Sequence, residues 1–149
     1  VGSAVLSTDD YNRGMSTLTK MNGGAHPTNF DSSEVYDLSA AYADIFRWVD
    51  GMPIQKRTID YTTSEPVFDG EVAAPPSDSI LFVEGIWSRH DMFDFADMTY
   101  DVGTPLATSI GQRITRDVVA RPEFADPSGN LEYYLEHAEP AYRDDQSAA

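Results

Sequence analysis

The 149-residue sequence contains no cysteine and only two lysines, and each of these features narrows what the protein can do. Without cysteine, neither a disulfide framework nor a thiolate metal site can form. Since 25 acidic residues outnumber 10 basic ones, the formal net charge is −15, which argues against binding to nucleic acid or to an anionic membrane. No apolar run approaches the roughly 20 residues that span a bilayer, and no secretory signal opens the chain. We therefore expect a cytoplasmic protein without a nucleic-acid or membrane partner.

The acidic residues are scattered along the whole chain and do not form a tail. A scattered acidic surface with few lysines resembles the surfaces of halophilic proteins, which stay soluble in strong salt. An ordinary acidic protein is the alternative, and we favour the halophilic interpretation. The chain length and the hydrophobic content of 41% are typical of one globular domain, so we expect residues 1–149 to form a single domain.

Apolar runs predict the strands that would carry a site. Ile80–Glu84 begins with four apolar residues in a row, which is typical of a strand buried on both faces of a parallel sheet. Ala4–Thr8 predicts a second strand and Met98–Val102 a third, and we expect all three to be neighbours. In open α/β sheets, ligands bind at the carboxyl ends of strands, where Glu84 and the pair Asp9–Asp10 lie. Ordinary solvated turn residues are the alternative for these acids.

The helical spacing of apolar residues predicts helices over 35–49, 104–118 and 131–138. Ser32 or Ser33 can cap the first helix, Gly51 can close it, and Thr104–Pro105 starts the second. The other segments predict a loop over 15–31, an exposed or edge strand over Ile54–Tyr61, a hairpin over Val67–Val72 that turns at Asp69–Gly70, and a loop over Pro122–Asn130. Strands that alternate with helices indicate an α/β fold with a mainly parallel sheet flanked by helices.

The positions of certain acidic residues and arginines together suggest a type of reaction. The candidates are three acids at or near predicted strand ends and helix starts, and three arginines on or after the second helix: Asp9, Asp31, Glu84, Arg113, Arg116 and Arg121. Such a set suits phosphoryl transfer, in which the protein supplies a base, magnesium and positive charge for the phosphates. The arginines could equally be solvated charges on a helix surface.

An ordered set of short motifs resembles the uridine kinase and phosphoribulokinase family. The motifs are Leu6-Ser7-Thr8-Asp9-Asp10-Tyr11, Asn29-Phe30-Asp31, Gly51 with Pro53-Ile54, Ile59-Asp60-Tyr61, Leu81-Phe82-Val83-Glu84-Gly85-Ile86, Arg113 with Arg116-Asp117, and Pro140-Ala141-Tyr142. The resemblance covers Ala4 to Tyr142. It implies a P-loop kinase-like fold and a uridine kinase-like phosphotransferase, which moves the γ-phosphate of ATP, with Mg²⁺, to a hydroxyl of a nucleoside or sugar.

The resemblance also implies roles for single residues. Asp9 would accept the proton of the acceptor hydroxyl, Asp31 would hold the sugar hydroxyls, and Glu84 would bind Mg²⁺ through water. Tyr11 and Tyr61, which lie inside the motifs, are carried over as further substrate-binding residues. The lid arginines that would close over the phosphates, and that we expect to be largely exposed, are Arg113, Arg116 and Arg121. We expect Asp9 rather than Asp10 to face the cleft, because successive residues of an extended chain point to opposite sides.

The sequence departs from the family pattern in several ways. It contains no glycine-rich phosphate loop of the form G-x-x-x-x-G-K-[ST], begins at what resembles the family's second strand, and stops before the expected last one. We therefore expect a kinase domain that is incomplete at both ends; a catalytically silent relative, acting as a binding or regulatory module, is the alternative. Ile59 and Ser64 stand where uridine kinases usually carry tyrosine and histidine, which argues against uridine as the acceptor. The sequence leaves a homo-oligomer open.

Overall fold

The computed structural model describes residues 2–120 and 126–140, which form an α/β fold. The chain divides into two compact units, Val1–Phe95 and Ala96–Ala149, and each is described by itself. The first unit contains β1 Ser3–Ser7, α1 Met15–Met21, α2 Leu38–Val49, β2 Ile54–Asp60, β3 Glu65–Val72 and β4 Ile80–Glu84, with 3₁₀ turns at Thr8–Tyr11, Ser33–Val35 and Asp91–Phe93. The second contains α3 Leu106–Ala120 and α4 Pro127–Tyr133, which continues as a π-helical turn, Tyr134–Ala138.

Strands β1 and β4 pair in parallel, in a register that runs from Ser3 opposite Ile80 to Ser7 opposite Glu84. Two of the three predicted strands, Ala4–Thr8 to within one residue and Ile80–Glu84, and their parallel pairing are thus confirmed. The expectation that β4 is buried on both faces is wrong, because Ile80 is 54% exposed and Phe82 is 49% exposed. Among the described residues, the core packs only against the alternate face of the pair, which carries Leu6 on β1.

Helix α2 packs into the core of the first unit through Leu38 and Ile45, which its apolar periodicity indicated, whereas Tyr42 and Val49 of the predicted stripe are exposed. The core cluster consists of Leu6, Tyr11, Leu18, Val35, Tyr36, Leu38, Ala41, Ile45, Trp48, Ile54 and Phe93. The helix begins later than predicted because Asp37 caps it, with its Oδ1 accepting a hydrogen bond from the Ala40 amide at 3.2 Å. Ser33 opens a 3₁₀ turn instead, and Gly51, at a φ of +75°, follows the helix end as expected.

Strands β2 and β3 form an antiparallel ribbon, and the predicted hairpin turn at Asp69–Gly70 is wrong. The ribbon pairs Gln55 with Glu71 and then Arg57 with Phe68, so the two residues Asp69–Gly70 oppose Lys56 alone. The positive φ of Gly70, +77°, therefore serves a β-bulge inside one continuous strand. The chain reverses at residues 61–64 instead, where the Asp60 carboxylate accepts hydrogen bonds from Thr62 and Thr63.

Helix α1 occupies part of the segment that was expected to be a loop. Its first turn is held by the ribbon: the Ser16 amide donates to Glu65 Oε1 at 2.8 Å, and the Met15 amide donates to the Ser64 carbonyl at 2.8 Å. The prediction missed α1 because only Leu18 of this helix is buried, so the sequence carries little apolar periodicity. A carboxylate 49 residues away supplies the partner for its first turn.

The second unit differs from the prediction at two places. Residues 98–102 form no strand, and Met98, Tyr100 and Val102 are exposed, so apolar alternation here does not mark a buried face. The predicted loop over Pro122–Asn130 is wrong in its last part, because α4 begins at Pro127, with Asp126 Oδ1 accepting from the Ser128 amide at 3.1 Å. Residues 121–125 lie outside the described part of the chain. No helix within residues 2–120 and 126–140 is long and apolar enough to cross a membrane.

Gly85 offers a test of this fold. Its φ is +121°, and a Cβ at this position would overlap Oγ1 of the fully buried Thr8. Gly85→Ala should therefore lower the free energy of unfolding by about 2–4 kcal/mol, from backbone strain and overpacking together, as measured by urea denaturation. Gly70→Ala is the matched control, since Gly70 also has positive φ but a Cβ there would meet no atom within 4 Å. Equal losses in both variants would show that the Thr8 contact does not constrain the fold.

Candidate active site

The carboxyl ends of β1 and β4 lie side by side, because Ser7 is paired with Glu84 at the end of the register. Just beyond the strands, the turn Thr8–Tyr11 packs on Gly85, and the missing side chain of this glycine makes room for Thr8. Asp9 and Asp10 lie in this turn, so the acids of two strand ends share one edge of the parallel pair. This is the edge at which ligands bind in open α/β sheets.

Asp10 lies in a tight turn and not in extended chain. Residues 8–11 wind into a 3₁₀ turn, so the alternation of an extended chain does not apply to them, and the choice of Asp9 over Asp10 as the cleft residue stays a prediction. Asp10 is half-buried, whereas Asp9 and Glu84 are exposed. Burial, and then the negative charge of Glu84, raise the pKa of the Asp10 carboxyl above its ordinary value of 3.8. The turn thus presents the solvent-exposed Asp9 next to the half-buried Asp10, whose carboxyl feels the negative charge of Glu84.

Asp31 lies in a loop that is hydrogen-bonded to the turn Thr8–Tyr11, called the acidic turn below. The Arg13 amide donates to the Val35 carbonyl at 2.9 Å, and the Asp37 amide donates to the Tyr11 carbonyl at 2.8 Å. The end of the acidic turn thus pairs with the segment that follows Asp31. Within its loop, the Asp31 amide is fixed by Asn29 Oδ1 at 2.9 Å. Asp31 Oδ2 is buried and has no hydrogen-bond partner in the described part of the chain. A buried acceptor without a partner costs free energy, which a hydroxyl donor would recover.

The two candidate tyrosines have different environments. Tyr61 follows β2 and is 43% exposed. Tyr11 belongs to the core, and its hydroxyl donates to Asp44 Oδ2 at 3.1 Å. Burial first, and then the Asp44 charge, raise the pKa of the Tyr11 hydroxyl far above its ordinary value. A direct contact between Tyr11 and a substrate stays a prediction, and this burial does not favour it.

Asp44 and Arg57 are residues that the sequence did not single out. Arg57 Nε donates to Asp44 Oδ2 at 3.3 Å, and the Arg57 guanidinium lies over the Tyr11 ring at 5.0 Å. Asp44 looked like a polar position on an amphipathic helix, and Arg57 like a solvated residue on an exposed strand. In the sequence, the one indication of the cluster was a polar residue, Asp44, on the otherwise apolar face of α2.

The described lid candidates lie on α3 in the second unit. The Arg113 guanidinium packs at 5.6 Å and 5.7 Å from the rings of Tyr133 and Tyr134, and Arg113 is half-buried, so the expectation that it is largely exposed is wrong. Arg116 is 50% exposed and binds the buried Asp117 at 2.9 Å. Both arginines line a cleft of about 380 Å³, together with Ser109, Gln112 and Tyr134. Arg121 lies outside the described residues.

Comparison with known proteins identifies the family. The model of the phosphoribulokinase/uridine kinase family matches residues 1–139. The chain belongs to this family. Among solved structures, it is similar to a protein from Silicibacter sp. TM1040 that is assigned as a fructose transport system kinase, with a TM-score of 0.67 and 10% sequence identity. That match covers 97% of this chain and 70% of the other, and at this identity it shows the fold. No curated protein matches the chain.

In this phosphoribulokinase/uridine kinase family member, the acidic pair fits one kind of metal site. Within residues 2–120 and 126–140, no group of three His, Cys, Asp or Glu side chains could hold a metal ion. Mg²⁺ often needs less, because it keeps several waters and uses one or two carboxylates together with substrate phosphates. Asp10 and Glu84, whose negative charges oppose each other, have the donor chemistry for such a site.

The raised pKa of Asp10 predicts how stability depends on pH. A carboxyl whose pKa is higher in the folded state stabilises the fold at pH values below its unfolded pKa, and this contribution is lost as pH rises through the folded pKa. Asp10→Asn should therefore be more stable than the wild type at neutral pH, and the difference should disappear in acid. Urea denaturation across the pH range measures this.

An NMR titration of the carboxyl carbons checks the cause directly. Glu84→Gln should move the pKa of Asp10 part of the way down toward 3.8 and no further, because burial is the larger cause and Glu84 the smaller. Titration of Asp10 at or below 3.8 in the wild type would contradict the placement of this side chain.

Proposed function

We propose that this protein transfers the γ-phosphate of a nucleoside triphosphate, ATP, to a hydroxyl group of a small nucleoside or sugar. The observation that carries the proposal is the register of β1 and β4, which brings Asp9, Asp10 and Glu84 to one edge of the parallel pair. Membership in the phosphoribulokinase/uridine kinase family supports a kinase. Carboxylates at such an edge supply the base and the metal ligands that phosphoryl transfer requires.

Each acid of this edge has a role in the proposal. Asp9 is exposed, so an acceptor hydroxyl can reach it, and its carboxylate would take the proton as the new bond to phosphorus forms. Asp10 and Glu84 would hold Mg²⁺ through water molecules. When bound, this ion neutralises charge on the phosphates. A sugar hydroxyl is a poor nucleophile at neutral pH, which is why a positioned base accelerates the reaction.

The acceptor would bind between the acidic turn and the elements that follow it in the first unit. Asp31 suits a sugar hydroxyl, since its buried Oδ2 lacks a partner in the described residues and a hydroxyl group can donate to it. Tyr61 would supply an exposed ring for packing. We favour a sugar or sugar phosphate over uridine because Ile59 and Ser64 replace the usual tyrosine and histidine.

A catalytically silent binding or regulatory module remains the second candidate, because the sequence shows no glycine-rich phosphate loop. The genomic sequence upstream of Val1 discriminates between the two functions, since a phosphate loop encoded there favours the kinase. Cytoplasmic localisation, halophilic adaptation and a homo-oligomer stay predictions from the sequence, as does the lid role of Arg121.

The role of Asp9 predicts a specific loss of activity. In the full-length protein, Asp9→Asn should lower kcat roughly 10²–10⁴-fold, the usual range for a positioned general base, and should leave nucleotide affinity and melting temperature unchanged. Steady-state kinetics and nucleotide titration measure these quantities. Asp78→Asn is the matched control, because Asp78 is an exposed turn residue in the connection before β4. If Asp9→Asn retains wild-type kcat, Asp9 is not the base, whatever the effect of Asp10→Asn.

Arg116 should contribute mainly by stabilising negative charge in the transition state. Arg116→Ala should lower kcat about 10²-fold or more, by analogy with the loss of other preorganised electrostatic groups. Because this change also leaves the buried Asp117 without its ion pair, Arg116→Lys is needed alongside it. Lysine keeps a positive charge near Asp117 but loses the planar fork that binds phosphate oxygens, so turnover should fall while the melting temperature stays close to that of the wild type. Full turnover in both variants would make Arg116 a structural surface residue.

A further inference from the structure

One buried polar cluster lies outside the acidic edge and connects to it. In this cluster, the Tyr11–Asp44–Arg57 triad, a single carboxylate oxygen, Asp44 Oδ2, accepts the Tyr11 hydroxyl at 3.1 Å and Arg57 Nε at 3.3 Å. The Arg57 guanidinium also lies between two rings, at 5.0 Å from Tyr11 and 5.3 Å from Phe68. The side chain of Asp44 is 10% exposed and that of Arg57 is 22% exposed, so the ion pair is largely shielded from water.

The triad joins the elements that would carry the reacting groups. Tyr11 is the last residue of the turn that contains Asp9 and Asp10. Asp44 lies on α2, in the middle of the helix that fills the core. Arg57 lies on β2, four residues before Tyr61, at the point where the register of the ribbon shifts. Arg57 pairs there with Phe68, the residue next to the bulge of β3.

The ribbon is attached to the acidic turn at this point. Its other end is held by α1, through the hydrogen bonds that Glu65 accepts from Ser16. These hydrogen bonds lower the pKa of the Glu65 carboxyl below its ordinary value. The ribbon is therefore attached at two points, to α1 through Glu65 and to Tyr11 of the turn through Arg57.

We propose that the Tyr11–Asp44–Arg57 triad sets the position of the β2–β3 ribbon relative to the acidic turn, so that Asp44 and Arg57 are positioning residues for phosphoryl transfer to the acceptor. Neither residue touches the reacting groups; both act through Tyr11 and the ribbon. The catalytic part of this inference rests on the proposed function. The structural part, that loss of one member loosens the other two elements, stands without it.

Amide hydrogen exchange of the full-length protein tests the structural part. Tyr11→Phe and Arg57→Gln each remove one partner of Asp44 and keep a side chain of similar shape or reach. Each should raise the exchange rates of residues 9–12 and of the ribbon residues 55–60 about tenfold. The matched controls are Tyr42→Phe, which removes a hydroxyl on the same helix, and Arg47→Gln, whose guanidinium binds the Pro53 carbonyl just before the ribbon. Exchange unchanged from the controls would overturn the proposal, whether or not the protein is a kinase.

Steady-state kinetics test the positioning role in a protein with measurable activity. Arg57→Gln should raise the acceptor KM and lower kcat, each about tenfold, and leave the KM for the nucleoside triphosphate unchanged. Arg57→Lys should restore part of kcat, since an ammonium group can still pair with Asp44. The double variant with Tyr11→Phe should cost less than the product of the single losses, because both act through one carboxylate. If exchange rises but kcat and the acceptor KM stay at wild-type values, the triad is structural only and the positioning role is wrong. If no variant, including the wild type, phosphorylates any acceptor, the proposed function fails and the exchange result stands by itself.

Discussion

The close packing of Thr8 on Gly85 is the constraint on which the site depends. A parallel pair of strands in register would bring Ser7 and Glu84 together, but the chain beyond them could leave in many directions. Only glycine permits both the backbone conformation at residue 85 and the approach of the buried Thr8. Since Thr8 is the first residue of the 3₁₀ turn, this contact determines that Asp9 and Asp10 stand beside the end of β4.

This arrangement adds to the electrostatic repulsion that is already present within the chain. A protein with a net charge of −15 already repels itself, and the site adds a half-buried carboxyl beside another carboxylate. Such a pair destabilises the fold at neutral pH, and a local cation would relieve it. The energetic cost is therefore consistent with a site that is complete only when a cation is bound, as phosphoryl transfer requires.

The parts of the fold that the sequence predicted are those in which local pattern and tertiary packing agree. β1, β4 and α2 carry apolar residues at positions that the core uses, so their existence followed from periodicity. The errors in secondary structure have a common cause: the segments concerned are completed by residues that lie far away in the sequence. The first turn of α1 is completed by Glu65, and Asp69–Gly70 forms a bulge because β2 continues beside it. At the site, the positions of the acids followed from their places after strands, but the sequence did not indicate that Asp9 and Asp10 lie in a 3₁₀ turn.

The Tyr11–Asp44–Arg57 triad could not be predicted for a further physical reason. Its members are separated by 33 and 13 residues, and each has an ordinary local context. A shielded ion pair of this kind contributes little net stability compared with apolar residues of the same volume, so composition does not signal it. The ion pair instead makes other positions of the ribbon less stable, because any displacement of the ribbon would leave the largely buried Asp44 charge without its partner. An interaction that penalises displacement more than it stabilises the fold is suited to holding two parts of a reaction site in one geometry.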